Sequence, residues 1–472
     1  MTDKKELKRS LGLIDATSIV AGSMIGSGIF IVSADIARTL GSPGWLLLAW
    51  ILTGVITLTA ALSYGELAAM MPQAGGQYVY LKEAYGKLPA FLYGWTLFMV
   101  IQSGTIAAVA VAFSKFTGVI FPVISSSNWI FKLHNIGGYN AGINTENLLS
   151  VISIIFLTWI NTKGIESGRR IQNIFTFTKV LSLFGLILVG LTIGRNLNVI
   201  NLNLQNFWGS SFTFVGILPL LGTAMVGSLF SAIAWDTVTY TAGETVNPKK
   251  NIPLSLGIGT SLVTLIYVLV NITYLCVLPL HGSPTGENVF SRGIQFATND
   301  RVGTAALEMI FGNSGAVIMA ILIMISTFGC NNGIILSTAR VYYAMAKDKL
   351  FFKKAGVLNE NSVPANALIF QCVWSCFLCL SGTYSNLLDY VIFAVLLFYM
   401  LTILAIFVLR VKKPDAERPY KAIGYPVIPA LYVILATLIS IDLLIFKPLY
   451  TWPGLVIVLL GIPVYYLWTN TD

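Results

Sequence analysis

Residues 22–30 read GSMIGSGIF. They sit inside a long apolar run, yet Gly22, Ser23, Gly26, Ser27 and Gly28 fill five of the nine positions. Glycine within a helix costs about 1 kcal/mol relative to alanine, so a helix crossing this stretch is built to come apart. At membrane depth, broken backbone is tolerated only where it lines a cavity. Such a break leaves N–H groups on one half-helix and C=O groups on the other. The first set attracts a carboxylate, the second an ammonium or a metal cation. A zwitterion carries both charges on neighbouring atoms and suits the break. Gly22 and Gly26, four residues apart, equally fit a small-residue packing face.

The setting follows from composition. The chain has 472 residues, of which 56% are hydrophobic and 10% charged, with a mean hydropathy of +0.78. Soluble domains carry about 25% charge. Apolar runs of membrane-crossing length recur from end to end. Twelve spans are predicted, roughly 12–40, 43–71, 89–121, 148–162, 170–194, 212–242, 253–279, 313–346, 363–382, 386–409, 426–446 and 452–468. The first is expected to be a retained span, because no small-residue cleavage site follows it. The longest loops, about 122–147 and 280–312, are polar and contain glycine. No soluble domain fits, so residues 1–472 form one polytopic domain.

With the amino terminus in the cytoplasm, 21 of the 29 lysines and arginines fall on the cytoplasmic side and seven outside. Both termini are therefore expected to be cytoplasmic, in a cell (plasma or inner) membrane. The formal charge of +9 is then a topology signal facing anionic lipid, not a nucleic-acid footprint. The remaining basic residue, Lys179, lies deep inside the fifth span, about 13 Å beyond Arg170 at the helical rise. A charge there costs about 3 kcal/mol on the most lenient scale.

No catalytic constellation is visible. Cys276, Cys330, Cys372, Cys376 and Cys379 lie in or at the edges of spans, and His134 and His281 in outside loops. Cys372, Cys376 and Cys379 share a helix face, but no histidine or carboxylate joins them to make a metal site. No cofactor, metal or enzymatic activity is expected.

Transporters built from inverted repeats carry interrupted helices at corresponding places in their two halves. Five spans after the first lies GSLFSAIAWDTVTYTAGE, residues 227–244, with Ser231, Ala232 and Ala234 at its middle. Asp236 beside them is an acid at membrane depth. Spans one to five and six to ten would be the repeats, about 12–194 and 212–409, with helices at about 426–468 appended. Phe230 and Trp235 flank this second break as gate or packing residues. Glu66 and Glu244 could gate the cytoplasmic side by pairing with basic loop residues such as Lys82 or Arg169, or be plain helix-end charges. Gln102, Ser103 and Thr105 could contact a substrate or join helices. Asp389 and Asp442 receive no role.

Several motifs together resemble the amino acid–polyamine–organocation superfamily. They are GSMIGSGIF with GSPG (41–44), SYGELAAMMPQAGGQYVYLKEAYG (63–86) and AGETVNPKKNIP (242–253). NTKGIESGRRIQNIFTFTKVLSL (161–183), STARVYYAMAKDKLFF (337–352) and RPYKAIGYPVIP (418–429) are similar to its L-type amino acid transporter branch. The resemblance implies an all-α membrane fold of twelve helices, a LeuT-like 5+5 inverted repeat with helices 1 and 6 broken. It also implies secondary transport of amino acids by alternating access.

From these readings come the expected sites. Backbone N–H groups of Gly26, Ser27 and Gly28 are expected to hold the substrate carboxylate. Carbonyls of Met24, Phe230 and Ser231 would hold its ammonium. Ile233 stands where eukaryotic relatives usually have glycine, and would narrow the pocket toward small or medium neutral side chains. By the same resemblance Lys179 takes the place of a bound sodium ion, touching span-one carbonyls and the hydroxyls of Ser326 and Thr327. The expected function is sodium-independent exchange or proton-coupled symport of neutral L-amino acids. A polyamine or cationic amino acid carrier using Asp236 is one alternative, and an ion channel or sensor on the same bundle another. Animal L-type members join a heavy subunit through a cysteine in the loop after span three. Residues 122–147 hold none, so a stand-alone, bacterial-type transporter without a disulfide-linked partner is expected.

Overall fold

The computed structural model describes residues 9–132, 142–209, 214–380 and 384–470, with the side chains of 165–172, 214–215, 384–390, 450 and 470 left aside. The architecture is all-α. Helices α1 (Leu13–Met24), α2 (Gly28–Ile31) and α3 (Ser33–Leu40) together make the first span. Gly41 at φ +59° ends α3, and Ser42 and Pro43 start α4 (Pro43–Met70), the Ser42 hydroxyl accepting from the Trp45 N–H. Proline suits that first helical position because its missing N–H would have no partner there. Next come α5 (Gln77–Tyr85), α6 (Lys87–Thr96), a wide π turn over Leu97–Ile101, and α7 (Gln102–Ile120).

A short hairpin of β1 (Trp129–Lys132) and β2 (Gly142–Asn144) precedes α8 (Thr145–Thr162). Then come α9 (Ile165–Thr192), α10 (Leu197–Gln205), α11 (Phe214–Ser231), α12 (Thr237–Tyr240) and α13 (Pro248–Val277). The rest comprises α14 (Val289–Arg292), α15 (Val302–Phe311), α16 (Asn313–Lys347), α17 (Ala365–Cys379), α18 (Tyr384–Lys412), α19 (Val427–Phe446) and α20 (Pro448–Asn470). Among the described residues, nine helical stretches are long and apolar enough to cross a bilayer, and Gly216–Ser231, Val302–Phe311 and Ala365–Cys379 are shorter apolar helices.

The predicted spans and these helices agree in order, with differences of local cause. Span seven begins at Pro248, not near 253, because Asn247 in the left-handed region and Pro248 start the helix together. The loop expected at 280–312 holds buried helix α15, whose Gly303 lies against Phe30. The loop helices α5 and α10 escape a pattern search because each is only nine residues long.

Close helix approach is bought with small residues. A Cβ on Gly54 would come 2.1 Å from the Thr264 methyl, which brings α4 against α13, and one on Gly190 2.2 Å from that of Thr273, which does the same for α9 and α13. On α9, Ile174, Phe177, Leu181, Phe184 and Leu188 are exposed at helical spacing, an outward stripe suited to lipid. Lys179 lies off that stripe and is fully buried. Both ends of the described chain lie at one end of the bundle: Ser10 N–H donates to the Glu244 carbonyl, Glu244 pairs with Arg340 low on α16, and Trp468 donates to the Lys349 carbonyl beyond that helix.

Candidate functional site

The first break falls at Ile25, which leaves helical geometry at φ −73°, ψ 94° between α1 and α2. It frees the last carbonyls of α1, and each has a specific partner. The Lys179 ammonium donates to the carbonyls of Gly22 and Ile25, the latter at 2.9 Å. The Ser326 hydroxyl reaches the same Ile25 oxygen at 3.4 Å, and the Cys330 thiol donates to Ser23 O at 3.1 Å. Thr327 turns away and bonds back to Ile323 O on its own helix at 2.9 Å. Lys179 and Ser326 thus converge on the break and Thr327 does not. Gly26, Ser27 and Gly28 stand at the start of α2, where a helix's first N–H groups lack intrahelical acceptors.

The second break runs from Ala232 to Asp236 and contains no glycine. Ala234 takes the left-handed conformation at φ +68°, which costs an L-residue about 1–2 kcal/mol. Trp235 and Asp236 hold that strain in place. The Trp235 ring lies 4.8 Å from that of Tyr64 and 5.0 Å from that of Tyr399. Asp236, 3% exposed, accepts from the hydroxyls of Tyr240 and, at 2.8 Å, Tyr399. Tyr93 and Tyr240 share a further hydroxyl bond of 2.8 Å.

The two breaks touch. Gly28 faces Ser231 so closely that a Cβ on it would lie 1.9 Å from the Ser231 hydroxyl oxygen. Gly26 is less tight, its nearest neighbour being Cys330 Sγ at 3.2 Å from an added Cβ. Tyr267 on α13 places its hydroxyl 2.9 Å from Met24 O and 3.0 Å from Ser231 O, one from each broken helix. Thr237 Oγ1 donates to Ser23 Oγ at 3.2 Å. Of the residues expected around an ammonium, Met24 and Ser231 are therefore adjacent, while Phe230 is one position back on α11.

Beside the junction is a narrow cavity lined by Gln77, Gln102, Ile233, Asp236, Tyr240 and Tyr399, among others. Its room for water centres is about 10 Å³, enough for a single water. A second cavity of about 20 Å³ lies between Thr57, Leu229, Trp235 and Tyr432, and Ile233 lines this one too. The π turn Leu97–Ile101 contributes Leu97 and Ile101 to the first cavity. Thr105 bonds its own helix at Ile101 O, and Ser103 is buried.

Both ends are shut. At the end bearing the termini, Glu66 takes Arg410 through two bonds of 3.0 and 2.7 Å, lies 3.4 Å from Arg418 Nε, and accepts from the Ala422 N–H at 2.7 Å. Glu244 pairs with Arg340 at 3.3 Å, and Lys82 with Asp348 at 2.6 Å. Both acids do pair with basic residues, but Lys82, offered as an example partner, is corrected to Arg410 for Glu66 and Arg340 for Glu244. The partners come from α16 and α18, far downstream in the chain, and no spacing rule reaches them. The side chains of Arg169 and Asp389 lie outside the described residues. At the opposite end, Arg38 on α3 bonds Gln295 O and Asp300, both at 2.6 Å. Asp442 on α19 packs its Oδ2 over Gly222 of α11.

Sequence reading missed Tyr267, Cys330 and the tyrosines around Asp236. Only Asp236 carried a signal, an acid at membrane depth that must find donors.

Two broken helices thus meet beside small cavities in an all-α bundle. The sequence pattern of the family described as "Amino acid permease" matches residues 11–465. The chain belongs to the amino acid permease family. It is similar to the mouse "Large neutral amino acids transporter small subunit 2", at 31% identity over 98% of this chain and 81% of that protein. It resembles the human "b(0,+)-type amino acid transporter 1" at 30% identity, covering 98% of this chain and 88% of the other. The mouse "Asc-type amino acid transporter 1" is 29% identical, over 99% and 82% respectively. The permease is thus a multi-pass membrane protein that transports amino acids and not an enzyme.

Proposed function

We propose that this permease carries neutral L-amino acids by alternating access, independently of sodium, as an exchanger or a proton-coupled symporter. The observation that carries the reading is the meeting of the two breaks. Amide N–H groups at Gly26, Ser27 and Gly28 open α2 on one side. Carbonyls of Met24 and Ser231, with Phe230 beside them, end the half-helices on the other. Tyr267 has one hydrogen to give, so each carbonyl keeps at least one lone pair that its hydroxyl does not use. A carboxylate and an ammonium on one carbon match that pair of poles.

Neutral side chains are favoured over cationic ones by the state of Asp236. Both of its oxygens already accept from tyrosines, so a cationic side chain would compete with bonds already made. Sodium independence is supported by Lys179, whose ammonium lies on carbonyls that an ion would otherwise coordinate. Twelve spans in two inverted repeats, with both termini in the cytoplasm, fit the placement of the breaks on spans one and six and the lysine and arginine bias. A stand-alone carrier fits the cysteine-free loop at 122–147.

The test is uptake of labelled alanine, serine, leucine, phenylalanine, arginine and putrescine into proteoliposomes, with and without internal amino acid, in sodium or choline buffer. Saturable uptake of neutral amino acids, unchanged in choline, is expected. Collapse in choline removes the role given to Lys179. Preference for arginine or putrescine favours the cationic reading, and flux without saturation or trans-stimulation favours a channel.

A further inference from the structure

At the end of the bundle opposite the termini, a cleft of about 560 Å³ opens between the ends of α9 and α13, the start of α10 and the end of α15. Its walls include Ile193, Leu197, Val277, Met309 and Ile310, and Arg195 stands among them. The cleft is built rather than incidental. A Cβ on Gly194 would lie 2.3 Å from the end of Ile310, so the turn after α9 packs directly on α15. Asn196 N–H donates to Cys276 O at 3.0 Å, and its side chain caps α10 through the Asn198 and Val199 N–H groups. Asn203 then ties α10 to the end of α13 through Leu275 O at 2.8 Å, Leu278 O at 3.0 Å and the Leu280 N–H at 2.9 Å.

The exposed side of α10 mixes leucines with the amides Asn198, Asn201 and Gln205. Leu197, Leu202 and Leu204 are each at least half exposed, and the helix carries no charged residue. Spans α9 and α13 end at Thr192 and Val277, and α16 begins at Asn313, so the cleft is level with the helix ends, where headgroups begin. Exposed Leu188 and Phe311 continue the apolar surface around it. Arg195 is exposed and makes no hydrogen bond or ion pair with another described residue.

We propose that this cleft is a binding site for one phospholipid, its phosphate on the Arg195 guanidinium and an acyl chain along Ile193, Leu197, Met309 and Ile310. A guanidinium presents a planar fork that matches phosphate oxygens. The apolar residues of the walls offer an acyl chain contact that a free inorganic anion does not use, while Asn196 and Asn198 stand beside Arg195 at the polar side. The site stands apart from the transport cavity.

The full-length permease is reconstituted with phosphatidylglycerol bearing a photoreactive group on one acyl chain, and cross-linked peptides are mapped. Label is expected on peptides holding residues 193–198 and 309–310. Arg195→Gln should lower it about fivefold, the effect of one arginine at a lipid surface, while label elsewhere and amino acid uptake stay unchanged. Arg195→Lys should retain label, which separates loss of charge from loss of fold. A diacylglycerol probe without phosphate should label these peptides as weakly as the Gln variant. Unchanged labelling in Arg195→Gln, or none in the wild type, overturns the site. Displacement by inorganic phosphate overturns it too, in favour of a simple anion site.

Discussion

At the scale of single residues, Gly28 has the least freedom. Its missing side chain is what lets the second break lie against the first, since the Ser231 hydroxyl oxygen occupies the space a Cβ would need. Gly28→Ala should abolish uptake, and Ser231→Gly in the same chain should restore part of it by vacating that space. If the double variant is as inactive as Gly28→Ala, the contact is not what Gly28 serves. Substitution at Gly28 therefore reports packing before it reports carboxylate binding, and Gly26, with only Cys330 Sγ near, is the cleaner probe of the latter. Ile233 lines both internal cavities, so Ile233→Gly should join them into one. Uptake of leucine and phenylalanine should then rise relative to alanine by about 1–3 kcal/mol of discrimination, or roughly 10–200-fold. An unchanged ranking would place Ile233 outside the side-chain pocket.

At the scale of elements, the unwound part of the first span is held by donors from three other helices. Lys179 comes from α9, Tyr267 from α13, and Ser326 and Cys330 from α16. Hydrogen bonds to a charged donor are worth about 1.5–3 kcal/mol each, and Lys179 makes two. Lys179→Ala should cut uptake at least tenfold while the protein still reaches the membrane, and Lys179→Arg should fare little better because its planar fork differs in shape. Full uptake by the Ala variant would leave Lys179 as a packing residue. The first break was legible because glycine writes backbone freedom into the sequence. The second was only half legible, because Ala234 is bent by Trp235 and Asp236 locking onto tyrosines from distant helices. Lys179 could be read as out of place in an apolar span, whereas Tyr267 and Cys330 could not. A tyrosine or cysteine in a span looks like packing until the fold brings a free carbonyl to it.

At the scale of the whole molecule, the cavity at the breaks has room for about one water and ion pairs bridge the elements at both ends of the bundle, so passage of an amino acid requires some of these contacts to open. Glu66, 1% exposed, joins the end of α4 to the end of α18 and to the loop holding Arg418 and Ala422. Breaking a buried ion pair from one side costs about 3–5 kcal/mol, a penalty borne by the conformation that contains the pair. Glu66→Gln should therefore shift the population toward opening at the end that bears the termini. In a variant whose other four cysteines are replaced, Cys330 should react several-fold faster with a small thiol reagent added from that side. An unchanged rate would make the Glu66 cluster a fastening for the loop alone. The closures could not be read from the chain order, since their partners lie far apart along it, while the membrane class, the helix order and the first break could. The Tyr267 hydroxyl has a single hydrogen and two nearly equidistant oxygens to give it to, one on each broken helix. When either helix swings away, that hydrogen can stay with the other, so the contact between the two broken helices parts without leaving the hydroxyl stranded.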